Sequence, residues 1–149
     1  MEQERGERMS EDGPLTGGCN CGHVRYALTA PPLAVVACHC TQCRRQSGAA
    51  YSVNLVVRQG TMRVDGALAS WTDRDTESGA PLSREHCGRC GSPIRSVPGG
   101  APGIVAVKAG TLDDPSPFAP TLHIWTRSKL PWIVLPEGVP TADKGPGAP

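Results

Sequence analysis

Cys38-His39-Cys40-Thr41-Gln42-Cys43 packs three thiols into six residues. Two more clusters, Cys19-Asn20-Cys21 and Cys87-Gly88-Arg89-Cys90, hold the other four of the seven cysteines in this 149-residue chain. These are metal-ligand spacings. A C-x-C on an extended segment turns both sulfurs to the same side, and a C-x-x-C at a tight turn brings two thiolates onto one ion. Spacing alone leaves open which cysteines share an ion. The economical division gives Cys19, Cys21, Cys87 and Cys90 to one tetrahedral, structural site, a staple between distant parts of the chain. Cys38, Cys40 and Cys43 then remain for a second site whose fourth position is open, and an open position is where chemistry happens. Two Zn²⁺ per chain are expected; four thiolates also suit iron, but a C-x-C joined to a distant C-x-x-C reads as zinc. Gly22 and Gly91 each follow a ligand directly, where the backbone must turn sharply or give N–H groups to sulfur.

A disulfide framework fits less well. Seven thiols leave one over, and three cysteines within six residues cannot readily pair among themselves. Residues 1–18 are charged and glycine-rich, with only Met9 and Leu15 as larger apolar residues, so no hydrophobic signal core is visible there. A reducing cytoplasm is the expected compartment.

Composition sets the fold class. There are 18 glycines and 15 prolines against one Phe, two Tyr and three Trp. Such a chain builds many short strands and few long helices, with a thin core to which bound metal adds folding free energy. The fold class expected is all-β. A net charge of +1 implies no general attraction to polyanions, and no run approaches the ~20 apolar residues of a membrane helix. Neither nucleic acid nor membrane is an expected partner. Residues 1–14 and 140–149 read as disordered tails, too poor in apolar side chains to offset their ordering cost. The domain spans 15–139. Strands are predicted at His23–Thr29, with Val24, Tyr26 and Leu28 on one face, and at 33–38, 51–57, 68–72, 93–97, 103–108 and 121–126. The one helical turn expected is Thr41–Gln46.

The strings Gly18-Cys19-x-Cys21-Gly22, Cys38-His39-Cys40-x-x-Cys43-Arg44-Arg45-x-Ser47-Gly48 and Arg84-x-x-Cys87-x-x-Cys90-Gly91-Ser92 together resemble the glutathione-dependent formaldehyde-activating enzyme family, which also contains centromere protein V. The likeness continues through Ala109-Gly110-Thr111-Leu112-Asp113-Asp114-Pro115, His123-Ile124-Trp125 and Trp132, and so covers about 15–139. His86 departs from it, standing where the family usually has Phe. The resemblance implies a β-tent of small antiparallel sheets pinned by a structural zinc, with a second zinc on the C-x-C-x-x-C stretch. It also implies addition of the glutathione thiol to formaldehyde, giving the S-hydroxymethyl adduct.

The residues allow that chemistry. A thiol entering an open zinc position loses its proton, whereas a free thiol, with pKa near ~8.5, mostly keeps it at neutral pH. Three thiolates leave Zn²⁺ with net charge −1, which favours binding the thiol over polarising the aldehyde. The reading is a zinc-dependent carbon–sulfur lyase, or thiol–aldehyde adduct synthase, with glutathione as co-substrate and a small aldehyde as its partner. Cys38, Cys40, Cys43, Arg44 and His39 form the expected catalytic set. Arg44 and Arg45 suit glutathione's carboxylates, and Ser47 and Gly48 either offer backbone N–H groups or only end the turn. His39, between two ligands on an extended segment, points away from the metal and is expected to support the ligands or handle protons. Asn54, Asp113 and Asp114 read as turn and edge residues, and Trp125 and Trp132 as filling a sparse core. The alternative is a non-catalytic zinc module that binds glutathione or a protein partner. The sequence leaves the oligomeric state open, a homodimer included.

Overall fold

The structure, a computed structural model, describes residues 13–145. Ten strands run in chain order: β1 (Leu15–Gly18), β2 (Arg25–Leu28), β3 (Ala34–Cys38), β4 (Ser52–Arg58), β5 (Met62–Asp65), β6 (Leu68–Asp73), β7 (Leu82–Cys87), β8 (Pro93–Pro98), β9 (Ile104–Lys108) and β10 (Leu122–Ile124). One short helix, α1 (Thr41–Ser47), interrupts them. The fold is all-β. β1, β2 and β5 form a three-stranded antiparallel sheet, and the other strands form a sheet ordered β10-β3-β4-β9-β8-β7-β6. All its pairs are antiparallel except β10 with β3.

The core lies between the sheets. Successive side chains of a strand point to opposite faces, and β4 and β9 obey this closely: Leu55, Val57, Val105 and Val107 are sealed against Tyr26, Leu28 and Met62 of the small sheet. Their neighbours Asn54, Val56, Ala106 and Lys108 face the other way and line a cavity. A register shift between Glu85 and His86 breaks the alternation of β8, so Ile94 joins the core while Ser96 and Pro98 line the cavity. The expected inward set Val24, Tyr26 and Leu28 is buried.

Three strands escaped the sequence reading. β1 is Leu-Thr-Gly-Gly, with too few apolar residues to show alternation; a side chain at Gly17 would collide with the Tyr26 ring and the Thr111 carbonyl. In β5 and β7 charged residues dilute the signal, and a buried residue of β7 on the cavity face is itself a cation, Arg84. The strand expected to reach Thr126 stops at Ile124, because Trp125 takes a left-handed conformation (φ 55°). Trp132 stands exposed and fills no core.

The tails behave differently from expectation. Residues 1–12 and 146–149 lie outside the described residues. Residues 140–145, however, are tied to the edge of β10. His123 donates to the Pro140 carbonyl (3.0 Å), Ala142 donates back to the His123 carbonyl (2.8 Å), and Trp125 donates to the Lys144 carbonyl (3.1 Å). A Pro/Gly/Ala segment has little side chain to bury, but an open sheet edge needs only backbone partners. No helix among the described residues is long and apolar enough to cross a membrane.

The two faces of β4 should respond differently to truncation. Leu55→Ala empties a fully enclosed site and is expected to cost about 2–5 kcal/mol. Val56→Ala, half-buried on the cavity wall against the cluster of Val36, Ile124 and Trp125, should cost less, about 1 kcal/mol. Chemical denaturation of the two variants checks this, and equal losses would overturn the division of the sheet.

Candidate metal centre and substrate cavity

Two sulfur clusters form, and their members are those of the economical division. The Sγ atoms of Cys19, Cys21, Cys87 and Cys90 lie within 4.8 Å of one another, and so do those of Cys38, Cys40 and Cys43. All seven thiols are free.

The four-cysteine cluster is built from two similar turns. After Cys19, the Gly22 N–H returns to the Cys19 carbonyl (3.3 Å), and Val24 donates its N–H to the Cys19 sulfur (3.2 Å). After Cys87, the Gly91 N–H returns to the Cys87 carbonyl (2.9 Å), and Arg89 donates its N–H to the Cys87 sulfur (3.3 Å). Gly22 (φ 80°) and Gly91 (φ 82°) reverse the chain in a conformation L side chains rarely adopt. Backbone N–H groups aimed at sulfur favour its ionised form. Ser92, through its hydroxyl and its backbone, holds the Cys90 thiol down at about 5. Cys87 is buried while Cys21 and Cys90 are exposed, and none of the four lines the cavity.

The three-cysteine cluster sits elsewhere. Cys38 ends β3, Cys40 caps α1 by accepting the Cys43 N–H (3.2 Å), and Cys43 lies in the first turn of that helix. All three line a cavity of about 640 Å³. Its floor is the outer face of the large sheet: Val36, Asn54, Val56, Ile104, Ala106, Lys108, Ser96, Pro98, Leu82 and Arg84. Gln42 of α1 and the loop between β6 and β7 form a wall. That wall is tied together where Gln42 Nε2 donates to the Asp75 carbonyl (2.8 Å) and the Thr41 N–H donates to Glu77 Oε1 (3.3 Å).

Two cations are buried in this floor. Arg84 is 2 % exposed and Lys108 6 %. Arg84 Nε donates to Asp73 Oδ2 at 2.9 Å, a pair almost wholly out of water. Among the described residues Lys108 has no carboxylate within ion-pairing distance. Burial pushes the Lys108 ammonium below its ordinary value, while the Cys43 sulfur draws it back up. The Cys38 and Cys40 thiols hold the Cys43 thiol well below the usual thiol range, against the effect of burial, and Lys108 and Arg84 lower it further. Cys38 is pushed up by its two neighbours, since the cluster resists a second ionisation.

Several expected site residues lie outside the cavity. Arg44 and Arg45 follow Cys43 around α1, away from the wall formed by Gln42 and Cys43. Ser47 donates its hydroxyl to the Arg44 carbonyl (3.2 Å), and Gly48 (φ 63°) closes the helix with its N–H on the Arg45 carbonyl (3.3 Å). These two residues end the turn. His39 points away from the sulfurs, as expected for its position, and is buried against Tyr51 with Nε2 3.0 Å from His123 Nδ1. It does not line this cavity. Asp113 and Asp114 are turn residues: Asp113 pairs with Arg25 and accepts the Thr16 hydroxyl (2.6 Å), and Asp114 accepts from Ser116 (2.6 Å). Asn54, read as an edge residue, is instead in the middle of β4 on the cavity floor. Lys108, Ser96 and Glu77 went unnoticed. Lys108 carries the one usable signal, a lysine ending an otherwise apolar Ile104–Val107 run. Trp125 is buried, as expected, and also lines the cavity.

The family model for the glutathione-dependent formaldehyde-activating enzyme matches residues 14–128. The chain belongs to that family. The matched stretch contains both sulfur clusters and the cavity floor. A crystal structure of a Rhodobacter sphaeroides protein is similar over 66 % of this chain and 88 % of that one, at 23 % identity and a TM-score of 0.53, a likeness of fold.

Removing the Arg84 guanidinium leaves the Asp73 carboxylate buried and unpaired. Arg84→Met is expected to cost about 3–5 kcal/mol, and Asp73→Asn combined with Arg84→Met should recover much of that loss. Urea denaturation decides it. A double variant as unstable as the single one would show that the charge pair is not the cause.

Proposed function

We propose that the chain is a zinc-dependent carbon–sulfur lyase that joins a thiol reversibly to a small aldehyde, resembling an S-(hydroxymethyl)glutathione synthase. The observation that carries this reading is the placing of the clusters: the three-sulfur cluster opens on the cavity, and the four-sulfur cluster does not. An all-sulfur donor set fits zinc. Cys19, Cys21, Cys87 and Cys90 would hold a structural ion, and Cys38, Cys40 and Cys43 a second one. Zinc at the second site supplies Lewis acidity that favours the ionised form of an entering thiol.

The remaining work falls to the chain. The reaction forms a bond between the thiol sulfur and the carbonyl carbon. The carbonyl π pair moves onto oxygen, which ends with the proton the thiol has lost. Lys108 and Arg84 place positive charge on the cavity floor, where it stabilises both the thiolate and the oxygen anion that develops on attack. The apolar side chains around them, Val36, Val56, Ala106 and Ile124, exclude water and strengthen that field. Asn54 Oδ1 has no hydrogen-bond partner and is positioned to accept the new hydroxyl group. Run backwards, the same steps release the aldehyde.

The test measures adduct formation from glutathione and carbon-13 formaldehyde by exchange NMR, with metal content from native mass spectrometry. Two zinc ions per chain and a rate above the uncatalysed background are expected. Cys43→Ala should keep one zinc and lose the acceleration. A two-zinc protein that gives no acceleration sinks the catalytic reading and favours a module that binds glutathione or a protein partner.

A further inference from the structure

Beneath the reacting end, the cavity floor carries polar groups that nothing in the chain satisfies. Arg84 Nη1 is buried without a hydrogen-bond partner, although Nε of the same guanidinium is held by Asp73. Ser96 stands directly opposite Arg84 in the β7–β8 ladder, is 4 % exposed, and its Oγ also lacks a partner. Residues opposed in an antiparallel pair hold their Cβ atoms about 4.5–5.5 Å apart, so the two side chains leave the sheet from adjacent positions, and both residues line the cavity. Leaving a buried donor unmatched costs about 1–3 kcal/mol, more when it is charged. A cavity floor that keeps two of them has a partner in view.

Charge names that partner. Asp73 pairs with the Nε side of Arg84, whereas Lys108, on the same floor, pairs with no carboxylate among the described residues. The floor itself holds two cations, Arg84 and Lys108, against the Asp73 carboxylate, with the three sulfurs and Glu77 facing them across the cavity. Its two unpartnered donors suit a group that accepts hydrogen bonds, such as a carboxylate. Walls of Val56, Leu82, Pro98, Ile104 and Ala106 surround these donors. Gln42 Oε1 and Glu77 Oε2, also unpartnered, offer acceptors on the helix side, where ligand N–H groups would be welcome. A two-heavy-atom aldehyde would leave a space of about 640 Å³ nearly empty.

We propose that Arg84 and Ser96, supported by Lys108, form a carboxylate seat for a ligand with an apolar body whose other end reaches the three-cysteine cluster. This rests on the catalytic reading only for what happens at that far end. The carboxylate belongs either to the thiol or to the aldehyde, and the two are separable by experiment.

Titration calorimetry on the zinc-loaded protein compares hexanoate with hexanamide, which has the same shape and no charge. Hexanoate should bind at least about tenfold more tightly, the worth of one charge-assisted hydrogen bond. Ser96→Ala and Arg84→Lys, which keep the fold's charges, should each erode that preference while leaving hexanamide affinity unchanged. Equal binding of the two probes, or a preference intact in both variants, overturns the seat. Glutathione against its diethyl ester, and 6-oxohexanoate against hexanal, then identify the source. Weaker binding of the ester assigns the carboxylate to the thiol, weaker binding of hexanal assigns it to the aldehyde, and a preference in neither pair overturns the proposal. Hexanoate preference without adduct formation would keep the seat and sink the reaction, so the two failures are told apart.

Discussion

Alternation along the central strands is the constraint from which the rest of the molecule follows. β4 and β9 are paired in a register that sets Leu55 beside Val107 and Asn54 beside Lys108. Once Leu55 and Val107 are committed to the core, the side chains between them must leave on the other face. That face is where the chain puts a lysine, an asparagine, a serine and an arginine. An ordinary two-layer fold would cover it with apolar residues or expose it to water. Here α1, the loop after β6 and the segment after Trp125 roof it over without filling it, and the cavity is the space left between.

Burying Lys108 and Arg84 in such a place opposes folding, and the way the structure limits that cost is informative. Asp73 reaches Arg84 from the edge strand β6 and takes one side of its guanidinium. Lys108 is offset only by the sulfurs of the three-cysteine cluster. The same sulfurs repel one another once more than one is ionised. Cation and thiolates thus stabilise each other across the cavity, and neither would be well placed alone. The four-cysteine cluster solves its own repulsion differently, with backbone N–H groups from two glycine-closed turns and with Ser92. One cluster is stabilised by its local backbone and looks outward; the other depends on distant charged residues and looks into the cavity.

This difference explains what the sequence made legible. Ligand spacing is a local property, so the three cysteine motifs could be read from the chain, as could the all-β class and the inward face of β2. Spacing left the sharing open, and the economical division is the one the sulfur clusters take. The strands that were missed have buried residues that are not apolar or too few residues to show a period: Gly17 in β1, Arg84 in β7. The segment beyond Pro140 was assigned to a tail because side-chain composition says nothing about backbone hydrogen bonds to an open edge. Trp132 looked like core only because aromatics are scarce.

The arginines show the same logic at the site. Arg44 and Arg45 adjoin a ligand in the chain, yet a helix advances by about 100° per residue, so the positions after Cys43 rotate off the face that Cys43 presents. Arg84 and Lys108 are far from Cys43 in the chain, but each sits on a strand whose parity faces the cavity. Proximity in sequence is therefore a poor guide to electrostatic proximity once the ligand stretch enters a helix. Parity along the paired strands is the better guide, because it carries across the rungs from β3 to β7 except at the register shift between Glu85 and His86. A charged residue at an outward-parity position of a central, roofed-over strand then marks a ligand's place, even where no motif names it.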